Sequence, residues 1–495
     1  MTGFEPRDTG AKGEEGLGAT VARGGAATLL ANAAAQAIRL GANLIMARLL
    51  MPAEFGLFAM VNSAIGIAGV LRDMGLSAAT IQSPTLTERQ LSTLFWVNAG
   101  FGLLATLLII ATSPWIARGL GAPESILLIV VLAPTFLLGG LATQHRALLS
   151  RKMAFSTQAR MTLWSVVASQ CVALLLGASG AGIWALAFGA ITSELIVTIW
   201  CWRAEPWRPT PVLTLSETRQ LLVFGGYLSG FSILSYLAGN LHQLLIGITK
   251  GPEAAGYFNR AYILLLAPVS LILMPLGGVI SAALSRVQAD STAFAHYYLK
   301  SMGTVNLMTA PLGCYSLLFA PELVHLLLGP LWGESGVLLR LMAVSLIVQP
   351  LMFSSGWVYQ ALGQARRMFW WGNLGWSVIL IMYLPGLIWG ARGVAIAHSL
   401  SLTLLVWPCL HFAFKGTAIT TKSTLSVCVP ALVAATVATI PALGLRVILS
   451  GQSPLFSFFY GSVIYAASYI GLLFAVGERS RLMNLWQHFR SGSFK

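Results

Sequence analysis

Charge is what this chain has least of. Only 9% of its 495 residues are Asp, Glu, Lys or Arg, while 56% are hydrophobic; a soluble protein carries roughly 25% charge. No GxxxxGK[ST] phosphate loop is present, which excludes ATP hydrolysis of that type. No DxD-type acidic pair stands in a loop, as a metal-assisted glycosyltransferase needs. The five cysteines (Cys171, Cys201, Cys314, Cys409 and Cys428) form no CxxC and no Cys/His cluster with metal spacing, so they read as small hydrophobes. Neither metal nor cofactor is expected. The ~10-residue alternation of a β-barrel is missing. So are the basic start, short apolar core and cleavage site of a signal peptide, and residues 1–22 read as a cytoplasmic tail. The longest outer connections, 114–124, 319–334 and 449–455, are too short for a catalytic domain, so no enzyme is expected.

What the chain does have is apolar runs near the ~20 residues that cross a bilayer, and a mean hydropathy of +0.77. The expectation is an all-α polytopic membrane protein with about fourteen spans. They fall near 23–47, 54–77, 92–113, 125–148, 158–178, 182–202, 219–247, 254–284, 298–318, 335–361, 368–388, 393–413, 424–448 and 456–476. The Pro-rich segment 204–218 separates an N-lobe (23–203, spans 1–6) from a C-lobe (219–414, spans 7–12). Spans 13–14 (415–477) and a basic tail (478–495) follow. With the N-terminus inside, the cytoplasmic segments collect 22 of the 30 Lys and Arg, which places both termini in the cytoplasm. The net charge of +14 therefore reads as insertion topology, and no nucleic-acid partner is expected.

The halves echo each other. Pro52-Ala53-Glu54-Phe55-Gly56-Leu57-Phe58 matches Pro252-Glu253-Ala254-Ala255-Gly256-Tyr257-Phe258 as P-x-x-x-G-x-F. Arg151-Lys152-Met153 matches Arg366-Arg367-Met368, and Gly182-Ile183 matches Gly393-Val394. All three recur in the same order and topological place. An even number of spans per half makes the lobes parallel, about an axis along the membrane normal.

Polar residues within the spans are the candidate site. Arg39 lies about 16 Å of helix from the outer turn and Arg260 about 12 Å, at 1.5 Å per residue. Facing a cavity, two guanidinium groups suit a diphosphate; the other reading of Arg260 is a helix-end arginine reaching the headgroups. Asn259, Arg72, Asp73 and Arg340 are cavity or gate candidates. So are Gln36, Asn240 and Gln243, on the equivalent spans 1 and 7, with helix–helix hydrogen bonding as the alternative. Glu194, the one carboxylate well inside an apolar run, is the ion-coupling candidate, or else the partner of an arginine. His242 and His398 read as packing histidines.

The runs Ala47–Val61 (ARLLMPAEFGLFAMV), Arg72–Gln82 (RDMGLSAATIQ), Leu86–Asn98 (LTERQLSTLFWVN) and Gly256–Asp290 resemble the Wzx or colanic-acid-exporter type. These are flippases of polysaccharide biosynthesis in the multidrug/oligosaccharidyl-lipid/polysaccharide (MOP) superfamily. The resemblance extends to about residue 415. It implies a lipid-linked oligosaccharide on undecaprenyl diphosphate, turned across the bacterial inner membrane through a cationic cavity. A polysaccharide polymerase and export machinery are the implied partners. Two other readings are a cation-coupled drug antiporter of the same superfamily and a membrane polymerase or ligase.

Overall fold

The computed structural model describes residues 12–73, 75–83, 86–449 and 453–476, and among these the regular structure is entirely helical. Contacts divide the chain into two units, Met1–Gly256 and Tyr257–Lys495. The described residues of the expected spans are mostly helical, but the stretch expected as span 2 is broken into three shorter helices. Among the described residues ten runs are long and apolar enough to cross a membrane, and one of them, Ala365–Ala413, holds two helices folded against each other. The chain is therefore a multi-pass membrane protein. Expected spans 1, 2 and 7 are helical but lie outside those ten runs; they carry Arg39, Asp73, Asn240 and Gln243.

The first unit opens with α1 (Lys12–Leu49), α2 (Pro52–Ile65), α3 (Ile67–Asp73) and α4 (Leu76–Gln82). It continues with α5 (Glu88–Gly119), α6 (Ile126–Leu132), α7 (Pro134–Arg151), α8 (Phe155–Ala178), α9 (Ile183–Ala204) and α10 (Leu215–Lys250). Pro52 suits the first turn of α2, where its missing N–H is no loss, and the Glu54 carboxylate accepts the Met51 N–H at 2.8 Å. At Gly66 the helix breaks. The Tyr236 hydroxyl of α10 donates to Asn62 O at 2.9 Å and Ser63 O at 3.3 Å, filling the space a side chain on residue 66 would need. Asp73 then braces the first turn of α4, accepting from Ser77 Oγ at 2.8 Å and Ser77 N at 3.3 Å.

α1 packs on α8, α8 on α9, and α7 on both α5 and α9, while α10 lies against α2, α3 and α4. Leu103, Leu104, Leu107, Leu108 and Trp115 of α5 are exposed, as a lipid-facing surface requires. The Pro-rich segment 204–218 is pinned rather than loose. Trp96 Nε1 donates to Thr210 O at 2.8 Å, Thr210 N to Ser92 Oγ at 3.1 Å, and Thr214 N to Thr93 Oγ1 at 3.0 Å. At its start, buried Glu205 accepts from Lys152 Nζ at 2.7 Å, and His145 stacks on Trp202 at 4.5 Å.

The two P-x-x-x-G-x-F motifs meet. α11 (Pro252–Pro268) starts beside α2, and the backbones touch reciprocally. A Cβ on Gly56 would overlap Pro252 O, and one on Gly256 would overlap Pro52 O. Only glycine permits this approach from both sides.

The second unit contains α12 (Met274–Arg286), α13 (Ser291–Leu328), α14 (Gly333–Ala361), α15 (Ala365–Gly386) and α16 (Gly390–Ala413). Asp290 caps α13, accepting from Thr292 N at 2.9 Å and Ala293 N at 3.0 Å. Hydrogen bonds from Thr292 and Ala293 hold its carboxyl below the ordinary value. The last helices, α17 (Thr421–Val437), α18 (Thr439–Ile448) and α19 (Pro454–Ala475), dock on α13. Lipid tails remove the hydrophobic drive for helix pairing, so small residues and hydrogen bonds replace it. Ala431, Ala434, Ala435, Ala438 and Ala442 form the buried stripe. Pro311 leaves Leu307 O without its helical donor, and the Tyr469 hydroxyl of α19 supplies one at 2.8 Å.

Candidate functional site

Two of the expected site residues line one cavity of the first unit. Arg39 of α1 and Glu194 of α9 bound a space of about 400 Å³, together with Asn43, Asn62, Gln170 and Ser193. The helices set their common depth. α1 ends and α9 begins at neighbouring turns, since a side chain on Gly182 would meet the Glu54 carboxylate. From Leu50 back to Arg39, and from Ile183 on to Glu194, is the same helical distance, about 16 Å. Asn43, one turn from Arg39, donates from Nδ2 to Arg39 O at 2.8 Å.

The electrostatics are mixed. Arg39 is exposed and Glu194 half-buried. Ion pairs among the described residues join Lys152 to Glu205, Arg392 to Glu334 and Arg446 to Glu322; Arg39 and Glu194 are not joined. One wall therefore offers donors alone, another acceptors alone, and the amides between them offer both. Such walls match a hydroxyl-rich ligand. They match a diphosphate poorly, because its charge would lie close to the Glu194 carboxylate.

The remaining candidates lie elsewhere. Arg260 of α11, in the second unit, is buried, and its Nη2 donates to Asn259 Oδ1 at 3.0 Å. Arg340 of α14 donates to Leu318 O of α13 at 3.3 Å. Asn240 donates to Tyr236 O at 2.9 Å on its own helix, and Gln243 to Ala255 O at 2.5 Å, tying α10 to the first turn of α11. Asp73 is engaged by Ser77, and Gln36 is half-buried on α1. The Arg72 side chain lies outside the described residues. His398 Nδ1 is 2.8 Å from the Tyr383 hydroxyl, a packing contact. Among the described residues no group of three His, Cys, Asp or Glu is placed to hold a metal. Sequence reasoning missed Asn62, Gln170 and Ser193. Each sits in a short polar step within an apolar run (Asn62-Ser63, Ser169-Gln170 and Thr192-Ser193-Glu194), and that was the available signal.

With the geometry in place, comparison with known proteins is informative. A family model described as "Polysaccharide biosynthesis protein" matches residues 45–336. Teichuronic acid biosynthesis protein TuaB of Bacillus subtilis (strain 168) is 26% identical over 344 residues, 69% of each chain. Lipopolysaccharide biosynthesis protein WzxC of Escherichia coli (strain K12) is 25% identical over 61% of each. Succinoglycan biosynthesis transport protein ExoT of Rhizobium meliloti (strain 1021) is 25% identical over 66% of each. Among solved structures, lipid II flippase MurJ in an inward closed conformation superposes with a TM-score of 0.74 at 14% identity, covering 90% of this chain and 97% of that one. An inward-facing MATE multidrug transporter of the MOP superfamily gives 0.60 at 16% identity, covering 76% and 93%. These last two similarities establish the fold, which this chain shares with both transporters.

Proposed function

The chain belongs to the polysaccharide biosynthesis protein family, and from that premise we propose that it is a flippase for undecaprenyl-diphosphate-linked oligosaccharide in the bacterial inner membrane. It is a transporter and not an enzyme. The observation that carries the reading is the polar cavity of Arg39 and Glu194, set in a fold otherwise walled by apolar helices. In this reading the sugar occupies that cavity. Arg39 donates to hydroxyls and Glu194 accepts from them, while Asn43, Asn62 and Gln170 serve whichever partner the ring presents. Arg260 takes the diphosphate, and the prenyl chain stays in lipid. Six-helix halves at 23–203 and 219–414 alternate access around the substrate, with both termini in the cytoplasm. An inside-negative potential favours outward movement of the anionic lipid by ~2.3 kcal/mol per charge per 100 mV. The relatives' names support the substrate class, and MurJ supports the mode of action through its fold. A polymerase and export machinery would receive the flipped unit.

The test is deletion and complementation in the producing strain. Deletion removes surface polysaccharide, wild type restores it, and Arg260→Ala restores none while still reaching the membrane. Glu194→Gln restores less than a tenth of wild type if the carboxylate takes sugar hydroxyls or couples an ion. Intact polysaccharide in the deletion strain, with new sensitivity to toxic cations, would instead assign drug antiport.

A further inference from the structure

A groove in the first unit is separate from the Arg39–Glu194 cavity. It runs between α8 and α9, with a volume of about 580 Å³, and its lining is graded along its length. Arg160 and Arg203 stand at one end. Trp164 and Trp200 follow, then Ala168 and Ile196 deeper between the helices. The grading is a consequence of the sequence. Residues 160, 164 and 168 fall on one face of α8 at helical spacing, and 203, 200 and 196 on the facing side of the antiparallel α9. Arg160 enters near the start of α8 and Arg203 near the end of α9, so both guanidinium groups arrive at the same end of the helix pair.

Arg160, Arg203, Trp164 and Ile199 are all exposed. Neither arginine forms an ion pair among the described residues. Two exposed cations beside tryptophan rings, above an apolar trough, have the profile of a lipid rather than of a second sugar. The arginine end fits the headgroup level, where basic pockets between spanning helices bind anionic head groups. Tryptophan prefers that same level. The trough below matches an acyl chain.

We propose that the α8–α9 groove is a binding site for an anionic phospholipid, with its phosphate between Arg160 and Arg203 and one acyl chain along Trp164, Ala168, Ile196 and Trp200. The experiment uses the full chain purified in neutral detergent. Thermal shift and native mass spectrometry are recorded with cardiolipin, phosphatidylglycerol, phosphatidylcholine, undecaprenyl phosphate and inorganic phosphate. Cardiolipin and phosphatidylglycerol should stabilise the wild type, and phosphatidylcholine and inorganic phosphate should not. The Arg160→Gln/Arg203→Gln variant should bind the anionic lipids about 25-fold more weakly, about fivefold for each arginine. Ala168→Trp, which fills the trough and leaves both charges, should lose the same retained lipid. The proposal is overturned if the double variant and wild type respond alike. It is also overturned if inorganic phosphate matches the lipids, or if undecaprenyl phosphate alone binds, which would make the groove a substrate lane.

Discussion

Lys152 and Arg367 occupy matching places in the two R-[KR]-M motifs, and each secures the end of a later helix in its own half. Lys152 Nζ holds Glu205, just past α9, at 2.7 Å. Arg367 donates from Nη2 to Phe412 O at 2.5 Å and from Nη1 to Lys415 O at 2.9 Å, at the end of α16. The neighbouring Arg151 donates to Thr80 O at 2.9 Å and Ser83 O at 2.8 Å, taking up terminal carbonyls of α4. The motif thus fastens helix ends, and its lysine is worth testing. Lys152→Met strips the partner from a carboxylate that is only 2% exposed; leaving such a group unpaired costs about 1–3 kcal/mol or more. A Tm lower by several degrees in detergent is expected, with Lys152→Arg close to wild type. An unchanged Tm for Lys152→Met would show that Glu205 is held by its other contacts.

Helices in this chain break or bind where proline and glycine leave backbone groups for other elements to use. Because Tyr469 serves Leu307 O only where Pro311 has removed the helical donor, the pair makes a double-mutant cycle. Tyr469→Phe alone should cost about 1 kcal/mol. In a Pro311→Ala background, where an N–H is restored, it should cost less; equal losses in both backgrounds would refute the compensation. At this scale the sequence was largely legible, since apolar length marked the helical stretches, although it did not mark the breaks that divide expected span 2 into α2, α3 and α4. The assignment of polar residues was legible only in part. The equal depth of Arg39 and Glu194 follows from counting residues, but that α1 and α9 share a cavity wall depends on helix rotation and neighbours, which the pattern leaves open. Asp73, Arg340 and Gln243 illustrate the same limit. A polar side chain in an apolar helix looks the same in sequence whether it lines a cavity or bonds a neighbouring group, as Asp73 accepts from the Ser77 hydroxyl and Arg340 and Gln243 donate to Leu318 O and Ala255 O.

For the whole molecule, the governing feature is the mutual approach of Gly56 and Gly256. Gly56→Ala and Gly256→Ala each place a methyl group into the opposing backbone, so α2 and the start of α11 must separate. Each variant is expected to lose most polysaccharide export in the complementation assay while reaching the membrane at normal levels. Export at wild-type levels by Gly56→Ala would mean that transport does not depend on this close approach. The contact has a longer reach than its few atoms. When a surface patch touches a copy of itself, residue i against j and j against i, it forms an isologous interface, as in a two-fold dimer. Here both patches belong to one chain. The close approach that a two-fold dimer makes between copies is thus made here within one chain, and drift in one copy of P-x-x-x-G-x-F is constrained by the other.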